Sequence, residues 1–249
     1  MSAEEYNKYC SEFEKYLFIR NKPVAVKMIK DENEIPEGAV RPKKDRGHHI
    51  AQCQAFALSR RQGETVAMLK EDHWCFAPLM AYGLVEDPED EFIKASTSFP
   101  CFEKDKYIGM LTGPGDTVRF EPDMIMLYLE PGQVRKLLMA VKFGEKINVY
   151  SEFDPIDSCA YAIVPVIEKQ EYKITIPDPG EYARAAVRED ELIFSIPKAK
   201  IPVILSMLKQ MDEEKFGKAF ENIEMMPDFP RPDFYENAFK QWGLDTVDD

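Results

Sequence analysis

Apolar positions along this chain switch between helical and strand-like spacing. Near the start, Tyr6, Tyr9, Cys10, Phe13, Tyr16 and Leu17 fall on one helical stripe, and Ser2-Ala3-Glu4-Glu5 before them fits a capping box. Residues 23–29 are an apolar run of strand length, followed by a polar, Pro-containing loop over 31–46. The spacing predicts a helix over 49–61 stopped by Gln62-Gly63, a strand over 64–69 and a helix from about 73 to 84. Residues 86–91 read as an acidic loop, 92–102 as extended chain, and Gly113-Pro114-Gly115 as a turn. Residues 124–129 form a buried-looking strand, and Pro131 opens a helix in the first-turn position it favours.

The second half then echoes the first. A helix over 134–143 ends at Gly144-Glu145, as the earlier one ends at Gly63-Glu64, and a strand over 146–150 matches 65–69. Asp157-Ser158-Cys159 leads into a helix over 159–167, as Asp72-His73-Trp74-Cys75 leads into its own. Thr97-Ser98-Phe99-Pro100 echoes Ile174-Thr175-Ile176-Pro177, and a strand-Pro-helix unit recurs at 125–140 and 192–208. The shared order predicts an internal pseudo-twofold duplication. The expected fold is α/β or α+β, a mixed sheet with flanking helices. Its body spans 1–211, with repeat one at about 22–109, repeat two at about 122–190 and a closing strand and helix at 191–211. Residues 212–249 form a C-terminal arm, acidic and then aromatic. Phe234, Tyr235, Phe239 and Trp242 recur there at helical spacing, for docking on the body or on a second subunit in a homo-oligomer.

Composition narrows the class. The 249 residues are 45% hydrophobic, which leaves room for a sizeable core and excludes disorder. No apolar run approaches bilayer length, and the acidic N-terminus lacks the apolar stretch of a secretory signal, so a cytoplasmic protein with no membrane partner is expected. Acids outnumber bases 45 to 32, a net charge of −13 that repels phosphate backbones and argues against nucleic acid. The five cysteines are Cys10, Cys53, Cys75, Cys101 and Cys159, an odd number that argues against a disulfide framework.

Several stretches together resemble the domain-of-unknown-function family 169, common in anaerobic bacteria and archaea. They are Lys22-Pro23-Val24-Ala25-Val26-Lys27, residues 57–66, the Cys75 helix ending Tyr82-Gly83-Leu84, Pro122-Asp123-Met124, Ser158-Cys159-Ala160 and residues 190–197. The likeness covers about 10–210 and stops before the tail. It implies a family without an established activity.

Candidate chemistry gathers in the first repeat. His48, His49 and His73 share one window with Cys53 and Cys75, and Cys101 follows. Imidazole and thiolate are the usual ligands of zinc, iron and iron–sulfur centres. His49 and Cys53 would lie one helical turn apart on a shared face. Cys53, Cys75, Cys101, Cys159, His49 and His73 are therefore the candidate ligands of an iron–sulfur cluster or a transition metal, iron or zinc. No Cys-x-x-Cys spacing is present, and the plain alternative is small buried thiols. With Asp72 and Asp157 (or Ser158) as caps, Cys75 and Cys159 would sit in first helical turns, where the helix dipole favours thiolate. Arg60, Arg61, Arg184 and Arg188 are candidates to clamp a carboxylate or phosphate. Gly113-Pro114-Gly115-Asp116 lacks the Lys-Ser/Thr of a P-loop, and no nucleotide, hydrolase or zinc-protease motif occurs.

Three functions stay open at this point. One is a metal or iron–sulfur protein with a redox or accessory role in anaerobic metabolism. Another is a metal-free enzyme or sensor that binds a small anionic metabolite between the repeats through a reactive cysteine. The third is a scaffold or interaction subunit. Whether the protein is an enzyme is not decided by its sequence.

Overall fold

A computed structural model describes residues 3–86, 99–214 and 232–244. The apolar runs form one sheet: β1 (Val24–Ile29), β2 (Val66–Leu69), β3 (Gly109–Pro114), β4 (Met124–Leu129), β5 (Lys173–Thr175) and β6 (Leu192–Pro197). Their order is β2-β3-β1-β4-β6-β5, and every ladder is antiparallel. The fold is thus α+β, and the expected mixed sheet is corrected. Runs buried on both faces carry no mark of strand direction, so their composition does not separate the two pairings.

The helices are α1 (Ala3–Leu17), α2 (Pro42–Arg46), α3 (Gln52–Ala57), α4 (Phe76–Ala81), α5 (Pro131–Glu145), α6 (Ser158–Tyr161), α7 (Val164–Lys169), α8 (Pro179–Ala185), α9 (Ile201–Glu213) and α10 (Asp233–Gln241). Alternate strand residues face opposite layers. Ile125, Leu127 and Leu129 of β4 pack with the long helices α1, α5 and α9, where the Tyr6 hydroxyl donates to the Met124 carbonyl at 2.9 Å. Met124, Met126 and Tyr128 face the other way, into a layer of short helices that includes α3, α6 and α8. That second layer carries the candidate site.

The strand order is symmetric: exchanging β1, β2 and β3 for β4, β5 and β6 leaves it unchanged. In that exchange α3, ahead of edge strand β2, corresponds to α6, ahead of edge strand β5. Cys53 and Cys159 are each the second residue of these helices and so occupy matching places. Likewise α4 corresponds to α8, which matches Cys75 with Asp178, each at an N-cap. The sequence pattern instead pairs Cys75 with Cys159, through a strand at 146–150 that is not formed. There Lys146 closes α5 with φ 61°, and the chain that follows is joined to β5 by bonds between side chain and backbone. Ile174 donates its N–H to Ser151 Oγ at 2.7 Å, and Lys173 Nζ donates to the Tyr150 carbonyl at 3.2 Å.

Other expectations also shift. The predicted helix over 159–167 is split into α6 and α7, with Pro165 in the first turn of α7. Asp72 does not cap α4; it is buried and accepts from Arg41 Nε at 2.9 Å and from the Lys43 N–H at 2.9 Å. Residues 87–98 and most of the arm lie outside the described residues. Within the arm, Phe234 and Tyr235 of α10 border a groove with Leu138 and Phe143 of α5. No helix among the described residues is long and apolar enough to cross a membrane.

Candidate functional site

Four helix starts, drawn from both halves of the chain, meet over the short-helix face of the sheet. Between them lies a cavity of about 370 Å³. Gln52 and Cys53 come from α3, Cys75 from the N-cap of α4, Cys159 from α6, and Asp178, Gly180 and Arg184 from α8. Asp178 organises one wall. Its Oδ1 accepts the Glu181 N–H at 3.0 Å, capping α8, and its Oδ2 accepts the Ser158 hydroxyl at 2.8 Å. Gly180 sits tightly here: a Cβ would stand 2.9 Å from Asp178 Oδ1 and 3.2 Å from Arg184 Nη1, so a side chain would crowd the capping carboxylate.

Behind this wall is a buried polar group. The Tyr128 hydroxyl donates to Glu181, 3.0 Å from Oε1 and 3.3 Å from Oε2. The Arg60 guanidinium stacks 4.2 Å over the Tyr128 ring and donates through Nη2 to the Ala185 carbonyl at 2.6 Å. The Tyr82 hydroxyl donates to the Cys159 carbonyl at 3.2 Å. At the mouth, Arg184 lies 4.5 Å over the ring of exposed Trp74.

The titratable neighbours of the thiols are mostly acids, with Arg184 the basic one beside Cys75. Burial pushes the Cys53 thiol well up, and Glu181 and Asp178 push it further. Burial also raises Cys159, joined by Asp178, Cys53, Asp157 and Glu181. Cys75 is raised by burial, while Arg184 and a hydrogen bond from the Gln52 N–H pull the other way. Burial, with Asp178 beside it, holds Glu181 at about 8; burial, with Asp154 and Asp178, holds Asp157 at about 6. The expected thiolates are therefore corrected: all three thiols are neutral at pH 7. Cys75 sits at an N-cap rather than in a first turn, and helices of four to seven residues carry too little dipole to offset burial.

Of the residues singled out by sequence, Cys53, Cys75, Cys159 and Arg184 line the cavity, and Arg60 lies behind it. His73 is buried edge-on to Tyr82 at 6.4 Å, with neither ring nitrogen hydrogen-bonded; burial lowers it to about 4, so it is a neutral core group. His49 is exposed on its loop. Cys101 lines a different cavity, with Glu168, Lys169 and Lys173. Arg61 donates to the Ala186 carbonyl and Arg188 is exposed, so Arg184 is the one of the four arginines on the cavity wall. Among the described residues, no three His, Cys, Asp or Glu side chains stand close enough to hold a metal ion as they are.

Sequence reasoning missed Gln52, Asp178 and Glu181, and took Ser158 as a possible cap rather than as the partner of Asp178. Asp178-Pro179, a capping residue followed by a first-turn proline, was a legible helix start. Gln52 carried no signal. It is 1% exposed, and neither its side-chain nitrogen nor its oxygen has a hydrogen-bond partner among the described residues. A buried polar atom left in that state costs about 1–3 kcal/mol.

Comparison with known proteins gives a family without a chemistry. A family model described as "Uncharacterised ArCR", domain-of-unknown-function family 169, matches residues 12–207. An uncharacterised protein of Methanocaldococcus jannaschii is 24% identical over 213 residues, covering 78% of this chain and 89% of that protein. No solved structure matches significantly. The matched region takes in the whole sheet and all three thiols of the cavity, and on that match the chain belongs to domain-of-unknown-function family 169.

Proposed function

We propose that the cavity binds a soft metal centre, a transition-metal ion or an iron–sulfur cluster, with Cys53, Cys75 and Cys159 as sulfur donors and a redox or accessory role. One observation carries this reading: three thiols from distant parts of the chain wall a single small cavity. Asp178 lies beside both Cys53 and Cys159, an acidic neighbour that favours a bound cation. Thiols are soft ligands that select zinc, copper(I) and iron–sulfur centres, and Asp178 adds a nearby oxygen donor. Binding would rotate the side chains inward and release the thiol protons, so uptake strengthens as pH rises. The five cysteines are all free, which suits a cytoplasmic, reducing setting.

The test is purification without oxygen, followed by elemental analysis and an absorption spectrum. Stoichiometric zinc or iron, or visible sulfur-to-iron absorption, supports the reading. Folded, colourless protein that also takes up no added zinc or ferrous iron overturns it.

A further inference from the structure

The titratable side chains lining the thiol cavity are Cys53, Cys75, Cys159, Asp157, Asp178 and Arg184. With the thiols neutral at pH 7, the charges on the wall are two carboxylates and one guanidinium. Asp178 is engaged, one oxygen by the Glu181 N–H and the other by the Ser158 hydroxyl. Asp157 is not. It stands half-buried at the N-cap of α6 yet caps nothing, and its oxygens accept no hydrogen bond among the described residues and are not shut away from solvent. Its charge reaches both Asp178 and Cys159, which places it at the cavity. Arg184 lacks an acid partner among the described residues, whereas Arg20, Arg41 and Arg46 each meet a carboxylate. Its guanidinium rests against Trp74, and its charge reaches Cys75. An unpaired acid and an unpaired base thus share one cavity without pairing with each other.

We infer that this cavity takes a zwitterion, an α-amino acid with an apolar side chain, whose ammonium faces Asp157 and Asp178 and whose carboxylate meets Arg184. An ammonium brings three donors to carboxylates, and the planar fork of a guanidinium matches a carboxylate. A simple anion would serve Arg184 but meet the two acids, and a simple amine would leave Arg184 unmatched. Pro78 and the exposed side chains of Trp74 and Ile156 supply apolar wall for the rest of the ligand, and about 370 Å³ lies in the range of small-molecule sites. This inference stands apart from the metal reading, which rests on the thiols.

The test titrates three probes into the full chain by calorimetry: leucine, 3-methylbutylamine, which lacks its carboxylate, and 4-methylpentanoate, which lacks its ammonium. Protection of Cys75 from alkylation locates the binding. Leucine is expected to bind at least tenfold more tightly than either analogue and to slow alkylation of Cys75. Arg184→Met should lower leucine affinity at least tenfold, to the level of the amine, and Asp157→Asn should lower it severalfold. Neither side chain has a hydrogen-bond partner in the protein, so both variants should keep the parent melting temperature. A clear fall in melting temperature would mark the residue as structural and count against the inference. Equal binding of the three probes, no binding of leucine, or leucine affinity unchanged in both variants would overturn it. Protein that takes up zinc yet does not bind leucine would keep the metal reading and lose this one. Leucine binding by protein that takes up no metal would do the reverse.

Discussion

The Ser158 hydroxyl donates to the Asp178 carboxylate at 2.8 Å, joining the start of α6 to the start of α8. The same carboxylate caps α8, so one side chain holds two walls of the thiol cavity. Asp178→Ala removes the cap and strands the Ser158 hydroxyl, an expected loss of about 2–4 kcal/mol in denaturant unfolding. Asp178→Ser keeps a capping oxygen and should cost about half as much. Equal losses for the two variants would show that the cap is not what Asp178 contributes.

Glu181 gives the protein a pH dependence of definite sign. Its carboxyl titrates at about 8 when folded, against 4.5 in the unfolded chain, because burial penalises the charge. Between those values the folded state binds more protons than the unfolded one, so stability from this group is present below about pH 4.5 and falls as pH rises toward 8. Glu181→Gln should remove that decline, gaining a few kcal/mol over the parent at pH 8 relative to pH 5. The comparison is of unfolding free energies of both proteins at the two values. Parallel profiles would contradict the assignment.

Arg41 and Asp72 form a buried pair, with the Asp72 carboxylate also accepting the Leu69 N–H at 3.0 Å. Asp72→Ala removes the buried partner of the guanidinium, leaving it only the exposed Glu71 and Glu32, and strands the Leu69 and Lys43 N–H groups, so it should cost about 2–4 kcal/mol. Glu71→Ala, which removes an exposed partner of the same arginine, should cost less than about 1 kcal/mol. Thermal or chemical denaturation separates the two cases.

The thiols should differ in reactivity. Cys75 and Cys101 are partly exposed, whereas Cys10, Cys53 and Cys159 are buried. Mass spectrometry after timed alkylation at pH 8 should find Cys75 and Cys101 modified first. Arg184→Met should slow Cys75 severalfold by removing the one charge that lowers its pKa, and leave Cys101 unchanged. Added zinc should protect Cys75 alone. Protection of both would place the metal elsewhere.

Strands were the most legible part of the fold. Residues 124–129, with apolar side chains throughout, match β4 residue for residue, and the prolines at 131 and 202 stand in the first turns of α5 and α9. Residues 146–150 looked equally strand-like, but Ile147 and Tyr150 are exposed and β5 holds the sheet edge. Local alternation does not say which of two candidates pairs with β6. The three cavity thiols were legible as residue types, because cysteine is rare and chemically distinctive. Their company was not. Gln52, Asp178 and Glu181 come together only through the strand order, which brings α3 against α8 across more than a hundred residues of chain. The thiolate expectation failed for a related reason: a first-turn cysteine shows in sequence, whereas the burial and neighbouring carboxylates that outweigh the dipole do not.

The central claim is that Cys53, Cys75 and Cys159 act together on a soft metal. The most direct measurement is metal content, after anaerobic reconstitution with zinc and separately with iron and sulfide, of the parent and of five single Cys→Ser variants. The parent should hold zinc or a cluster in stoichiometric amount. Cys53→Ser, Cys75→Ser and Cys159→Ser should each lose most of it, at least tenfold in affinity, while Cys10→Ser and Cys101→Ser retain it. Metal-free parent protein, or metal that survives loss of all three cavity thiols, would contradict the claim.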